Sequence, residues 1–290
     1  GLNLSTRGIP QRFCYYADVY YGQNYEVDFQ SYYEADTEQG VIAADGLASS
    51  EPRLSVAEPE TPRERNFLRK FEARLVTNLD QLPTEAMAPP AAPVGASASE
   101  LEIARWLPAP VRESIIKKAA MEAYYFLFDK EYIRDDGKRF KVRKELRSRL
   151  LKELTDASQE AESVVLVSHS MGTLIAYDVL RNCTECPPIE MLITLGSPLG
   201  IREVQDELIA EDAADVDFPA KTLERWVNVY DPLDPICGAD PRLANDYRPV
   251  NHKSVLDVKE SNWGGWRHTI THYFAGPRFR GHLRDALGRG

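Results

Sequence analysis

The stretch Ser168-His169-Ser170-Met171-Gly172 constrains this chain most strongly. An apolar run, Val164-Val165-Leu166-Val167, precedes it, and the helix-like run Thr173-Leu174-Ile175-Ala176-Tyr177-Asp178-Val179-Leu180 follows it. A buried strand, a sharp turn carrying a serine, and a helix returning over the strand make a nucleophile elbow. The turn forces the serine into a strained backbone conformation and lifts its oxygen above the sheet. Small residues are expected two positions before and after the serine, where strand and helix approach. Gly172 and Ser168 occupy those positions. An ordinary strand followed by a Ser-rich loop would leave Gly172 and the spacing without a reason.

This stretch resembles the α/β-hydrolase superfamily, in particular bacterial lipase- and esterase-like serine hydrolases. Ile189 to Gly200 is similar to the next core strand and its Gly196-Ser197-Pro198 turn. Trp226 to Ile236 is similar to the strand that delivers the acid, and His268 and His272 lie near the C-terminus. The order Ser, Asp, His is that of this superfamily and differs from the chymotrypsin and subtilisin orders. The resemblance covers about residues 163–290. It implies an α/β fold: a mostly parallel sheet flanked by helices, with a helical lid-like insertion before the elbow.

Composition bounds the rest. With 290 residues and 43% hydrophobic content, the chain can form one large domain, or one domain with a sizeable insertion. No stretch approaches the roughly 20 apolar residues of a membrane span, and Gly1 to Arg7 lacks the apolar region of a signal peptide. The net charge of −10 disfavours nonspecific nucleic-acid binding. Four cysteines form no dense disulfide framework, which fits a reducing, cytoplasmic setting. Cys183-Thr184-Glu185-Cys186 follows a helix and runs into Pro187-Pro188. Without a second ligand pair at matching spacing it reads as two loop thiols rather than a redox or zinc motif.

Residues 12–21, dense in aromatic and β-branched types, read as a strand. From about residue 28 to 136 the alternation of strand and helix breaks. Nine of the 19 prolines lie from Pro52 to Pro110, and residues 88–99 read as a low-complexity, mobile linker. Thr61-Pro62-Arg63-Glu64 is a capping box with proline at the first helical position. Phe67, Phe71, Leu75 and Leu79 then share one helical face. A second helix is expected from Val111 to about Phe128, and a third from about Arg139 to Leu154 with Val142, Leu146, Leu150 and Leu154 on one stripe. The resulting division is a hydrolase core of residues 1–35 and 136–290, with a helical insertion over 36–135. The first two helices are read as a lid at the active-site edge, rather than an extension on the far side of the sheet. The basic run Arg134, Lys138, Arg139, Lys141, Arg143, Lys144, Arg147, Arg149 and Lys152 reads as the solvated face of the third helix. Its sharper reading is a peripheral contact with anionic head groups.

A serine hydroxyl needs a base within hydrogen-bond reach, and the base needs an orienting carboxylate. The resemblance implies a histidine in the loop before the final helix, followed by a hydroxyl residue and then a tyrosine. His268-Thr269 with Tyr273 fits this better than His272. His268 and His272 at i and i+4 could also ligate a metal, but no glutamate lies between them as in H-E-x-x-H. His169 flanks the nucleophile and should point elsewhere, His252 reads as a loop residue, and His282 falls in the last helix. The acid is Asp234 or Asp231. Asp234-Pro235-Ile236 matches the family's turn more closely, which leaves Asp231 as a turn former or supporting acceptor. The backbone N–H of Met171 should supply one oxyanion donor. The second donor normally comes from a His-Gly-rich loop after an early strand. No such motif occurs here, so the donor comes from a strand and loop preceding Gly1 or from another segment.

These residues point to a serine hydrolase that cleaves a carboxylic ester with a lipid-like or apolar acyl group. Ser170, His268 and Asp234 form the expected triad, with no cofactor and no metal. The rival readings are a noncatalytic hydrolase-fold binding protein and an acyltransferase or thioesterase on the same triad.

Overall fold

The apolar runs assemble into an open parallel sheet. The structure, a computed structural model, describes residues 4, 8–21, 59–80, 109–134, 136–210, 213–262 and 267–288. In chain order these hold α1 (Asp18–Tyr21), α2 (Pro62–Asp80), α3 (Ala109–Leu127), β1 (Glu131–Ile133), β2 (Arg139–Lys141), α4 (Val142–Glu160), β3 (Val165–His169), α5 (Met171–Asn182), β4 (Ile189–Leu195), α6 (Arg202–Leu208), β5 (Thr222–Tyr230), β6 (Val255–Lys259), α7 (Ile270–Ala275) and α8 (Pro277–Ala286). The expected linker at 88–99 lies outside the described residues.

The strands β3, β4, β5 and β6 lie side by side in sequence order, all parallel. Parallel strands covered on both faces read as continuous apolar runs, which is why β4 reads Ile-Glu-Met-Leu-Ile-Thr-Leu. Its alternate residues serve two cores. Met191, Ile193 and Leu195 join Val227, Val229, Tyr273 and Phe279 on the side of the C-terminal helices. Ile189 and Leu192 join Trp226, Leu174 and Tyr177 in the larger core on the other face. Within that face Trp226 Nε1 donates to Thr194 Oγ1, which in turn donates to Asn228 Oδ1. The polar atoms of a buried layer are thereby paired.

Two local expectations are corrected. Residues 12–21 form no strand; Asp18–Tyr21 is a helical turn instead. The aromatic residues there pack through side chains, Tyr20 donating to Glu122 O and Tyr132 donating to Tyr20 O, so their bulk reflects burial rather than strand pairing. The third helix begins at Val142 and not at Arg139, because Arg139–Lys141 pairs antiparallel with Glu131–Ile133. Helix α4 then buries Val142, Leu146, Leu150 and Leu154.

Most of the basic run meets carboxylates of the chain itself. Arg143 and Arg147 both clamp Asp178, which is 0% exposed on α5. Arg149 pairs with Asp18 and Glu145, Arg134 with Asp136, Arg139 with Glu131, and Lys152 with Asp156. The two guanidiniums at Asp178 outweigh the burial that would raise its pKa and hold it below the usual 3.8. Its contribution to stability is therefore fully present above that value and is lost as the pH falls through the lower folded-state pKa. Asp178→Ala leaves two arginines packed against α5 without their acceptor. We expect a destabilisation of about 3 kcal/mol, the lower end for a broken buried pair because Arg147 is partly exposed. Urea unfolding at pH 7 measures it, and the difference between the two proteins should shrink in acid.

Candidate active site

Helix α5 packs against β3, so the chain turns sharply at Ser170. Its φ of 52° and ψ of −127° are a conformation that a non-glycine residue adopts only under constraint. Ser170 N donates to Leu195 O, which ties the elbow to β4, and Ser170 O accepts from both Thr173 N and Thr173 Oγ1. A Cβ placed on Gly172 would stand 3.9 Å from Ser168 Cβ and 3.6 Å from the Tyr16 hydroxyl, ordinary contacts. The close approach expected at the elbow thus leaves room for a methyl group.

Ser170, His268 and Asp234 come together at the carboxyl end of the sheet. His268 Nε2 lies 2.7 Å from Ser170 Oγ, and His268 Nδ1 lies 2.8 Å from Asp234 Oδ2. His268 is 4% and Asp234 0% exposed. Asp234 Oδ1 also accepts from Ile236 N at 2.8 Å, and Oδ2 accepts from the Tyr273 hydroxyl at 2.7 Å. Burial alone would raise the Asp234 pKa. The His268 charge and the hydrogen bonds from His268, Tyr273 and Ile236 outweigh it and hold the carboxyl down to about 2. The aspartate stays ionised across the neutral range.

Asp231 serves the surrounding loop. Its Oδ2 accepts from Asn262 N at 2.8 Å and from Arg267 Nη1 at 3.1 Å, and its Oδ1 accepts from Leu233 N. Arg267 immediately precedes His268, so this buried ion pair anchors the segment that delivers the imidazole. His272 is buried on α7. His169 pairs with the backbone instead, its Nε2 lying 2.8 Å from His268 O. Burial and the nearby His268 push its pKa down to about 3, so it stays neutral. His252 occupies a turn with φ of 64°.

Three supporting residues were given no role at the site from sequence. Gly196, at φ 53°, is the point where a Cβ would stand 2.9 Å from Asp234 Oδ2, 3.1 Å from Tyr273 Cε2 and 3.2 Å from His268 Cε1. Its signal was the Gly-Ser-Pro turn after β4. Asn78 on α2 donates through Nδ2 to both Asp234 O and Pro235 O, which braces the acid loop from outside the sheet; one asparagine on a helical face carries no such signal. Tyr273 was noted only as part of a pattern, and its hydroxyl now has a partner. Tyr273→Phe removes a hydrogen bond to a charged acceptor, worth about 1.5–3 kcal/mol. If the triad turns over, we expect kcat to fall about tenfold or more with KM little changed, measured by steady-state ester hydrolysis.

Helices α2 and α3 flank this centre. The capping box forms in shifted register: Glu64 N donates to Thr61 Oγ1, and Glu64 Oε2 accepts from Glu60 N. Phe67, Phe71 and Leu75 are buried on the inner face. Among the described residues a cleft of about 2120 Å³ is lined by Ser170, His268 and Ile236, and by Ala119 and Glu122 of α3. The C-x-x-C thiols form no disulfide, and burial raises Cys183 and pushes Cys186 up to about 11, so neither is a ready thiolate.

Residues 101–228 match the model of a family described as PGAP1-like alpha/beta domain. No curated protein matches the chain. Among the described residues, no helix is long and apolar enough to cross a membrane.

Proposed function

We propose that the chain is an α/β-hydrolase-fold serine esterase cleaving carboxylic esters with an apolar, lipid-like acyl group, a reading supported by the family match over residues 101–228 and by the parallel sheet. The observation that carries this reading is the unbroken line from Ser170 Oγ through His268 to Asp234, at 2.7 and 2.8 Å. In the proposed mechanism Ser170 Oγ attacks the ester carbonyl while His268 Nε2 takes its proton. Asp234 holds the imidazole in the orientation that presents Nε2 and stabilises its cationic form. The N–H of Met171, at the start of α5, faces the developing oxyanion, helped by the positive end of the helix. The tetrahedral species collapses, the alcohol leaves with the proton from His268, and water then releases the acyl group by the same route.

The apolar substrate class rests on the cleft. Ile175, Ile236 and Phe274 are among its walls. Helices α2 and α3 are read as its cover, supported by the contact of Asn78 with the acid loop and by Ala119 in the cleft wall. A cytoplasmic setting completes the proposal, supported by four thiols that remain free.

Hydrolysis of p-nitrophenyl esters from acetate to dodecanoate tests this reading. We expect kcat/KM to rise with chain length by about tenfold per two added methylenes at the short end, since each buried CH2 contributes about 0.8 kcal/mol. A preference confined to acetate overturns the apolar acyl class, and no turnover of any ester overturns the esterase. Parallel thioester and alcohol-acceptor assays report on the thioesterase and acyltransferase rivals.

A further inference from the structure

The first turn of α5 holds a polar group that the triad does not use. A helix N-terminus leaves its first N–H groups without intrahelical acceptors. At this one, Thr173 N is satisfied by Ser170 O, and the Tyr16 hydroxyl lies beside Gly172, whose backbone N–H favours its oxygen electrostatically. Tyr16 thus sits against the residue next to Met171, whose own N–H is the first oxyanion donor. The phenol oxygen lies 3.6 Å from where a Gly172 Cβ would stand, and Tyr16 lines the same cleft as Ser170, Met171 and His268. With the Gly172 N–H turned toward its oxygen, the hydroxyl keeps its proton to donate.

Its protonation state suits that role. Burial, followed by the nearby charges of Glu122 and Cys14, raises the Tyr16 pKa above the ordinary phenol value against the opposing effect of the Gly172 N–H. A phenol that stays neutral at every working pH is a donor and never a competing anion. The segment carrying it is held at both ends. Arg149 donates to Tyr15 O and pairs with Asp18, while Arg12 reaches Glu153 and Glu160 on α4. The hydroxyl is therefore placed before substrate arrives, and preorganised donors contribute most to catalysis.

We propose that the Tyr16 hydroxyl is the second oxyanion-hole donor of this site, acting beside the Met171 N–H. The proposal rests on the esterase reading above and completes it. As the Ser170 Oγ–carbon bond forms, the carbonyl π pair moves onto oxygen, and His268 holds the serine proton. Tyr16 donates a hydrogen bond to that oxygen without giving up its proton. When the oxygen pair returns to re-form the carbonyl, the ester C–O bond breaks and the alcohol leaves with the proton from His268. Tyr16 ends the step as it began.

The test is the rate at which a fluorophosphonate labels Ser170, together with kcat for p-nitrophenyl butyrate, in wild type, Tyr16→Phe, and protein carrying 3-fluorotyrosine at position 16. Both reactions develop negative charge on the oxygen that Tyr16 would face. We expect Tyr16→Phe to lower kcat about 10²–10³-fold, as loss of one oxyanion donor does, with KM within about threefold of wild type. The fluorinated phenol, a stronger acid, should shift kcat measurably while leaving the thermal melting point unchanged, which a merely structural tyrosine would not do. If wild type is labelled and Tyr16→Phe is labelled and turns over within threefold of it, the assignment of Tyr16 is overturned and the esterase stands. If Tyr16→Phe fails to fold, a fluorotyrosine protein with unaltered kcat overturns it. If wild type itself is not labelled, the nucleophile reading falls and this one with it.

Discussion

Ser170→Ala is expected to lower ester hydrolysis by about 10⁶-fold, the scale found when a triad nucleophile is removed, and to abolish fluorophosphonate labelling. The magnitude follows from the covalent route. Without Oγ there is no acyl-enzyme, and His268 can at best activate a water that nothing positions at the 2.7 Å now held by the serine. The fold should survive. The backbone bonds that secure the elbow, Ser170 N to Leu195 O and Thr173 N to Ser170 O, do not involve the side chain. A residue at φ 52° is strained as serine and equally strained as alanine. Circular dichroism and thermal melting should be nearly superimposable with wild type. Labelling that persists in a folded Ser170→Ala protein would remove Ser170 from the mechanism.

Gly196→Ala should also be damaging, although residue 196 touches no substrate in this scheme. A methyl group there would meet Asp234 Oδ2 at 2.9 Å, closer than carbon and oxygen pack, and would crowd Tyr273 at 3.1 Å and His268 at 3.2 Å. Its φ of 53° adds strain for any residue with a Cβ. Asp234 cannot retreat freely, because Ile236 N and the Tyr273 hydroxyl hold its two oxygens. The displacement therefore passes to the imidazole. A misplacement of about 1 Å costs roughly 10²-fold in rate, and we expect kcat to fall by at least that much. The melting point should drop too, since the methyl is overpacked. Fluorophosphonate labelling rate in the folded fraction separates the two effects. A rate equal to wild type would mean that the loop relaxes and the triad geometry is less constrained than the packing implies.

Some of this was legible because the relevant signals are local. The run Val164 to Val167, the turn at Ser170 and the helix after it are each set by neighbours in sequence, so an elbow could be read there and a parallel sheet inferred from its companions at 189–195 and 226–230. Phe67, Phe71 and Leu75 announced a helix by their spacing. Where local signals misled, longer-range contacts decided. The aromatic cluster at 12–21 has strand-like composition, yet Tyr20 and Tyr132 are engaged in hydrogen bonds between distant segments. Arg139–Lys141 fits a helical pattern, but its pairing with Glu131–Ile133 takes it out of the helix. Of the positive charges of 134–152, Lys138, Arg139, Lys141, Lys144 and Lys152 are exposed as a solvated face would be, while Arg143, Arg147 and Arg149 reach acceptors such as Asp178 and Asp18 that lie elsewhere in the chain.

By itself the sequence determined the chemistry available to this protein: a serine at a strained turn, two histidines and two aspartates in a fixed order, and apolar runs that can only be buried. Only the tertiary structure shows which of them come together. Asp231 and Asp234 are both turn residues ahead of proline, and only the resemblance favoured the second; in the structure Arg267 and Asn262 engage the first while His268 and Tyr273 engage the second. Gly196, Asn78 and Tyr16 adjoin residues scores of positions away, and no periodicity or spacing encodes such contacts. Secondary structure follows from interactions a few residues apart. A site is made where strand ends and loops meet in space, and its geometry is set by which side chains the packed core brings within hydrogen-bond distance.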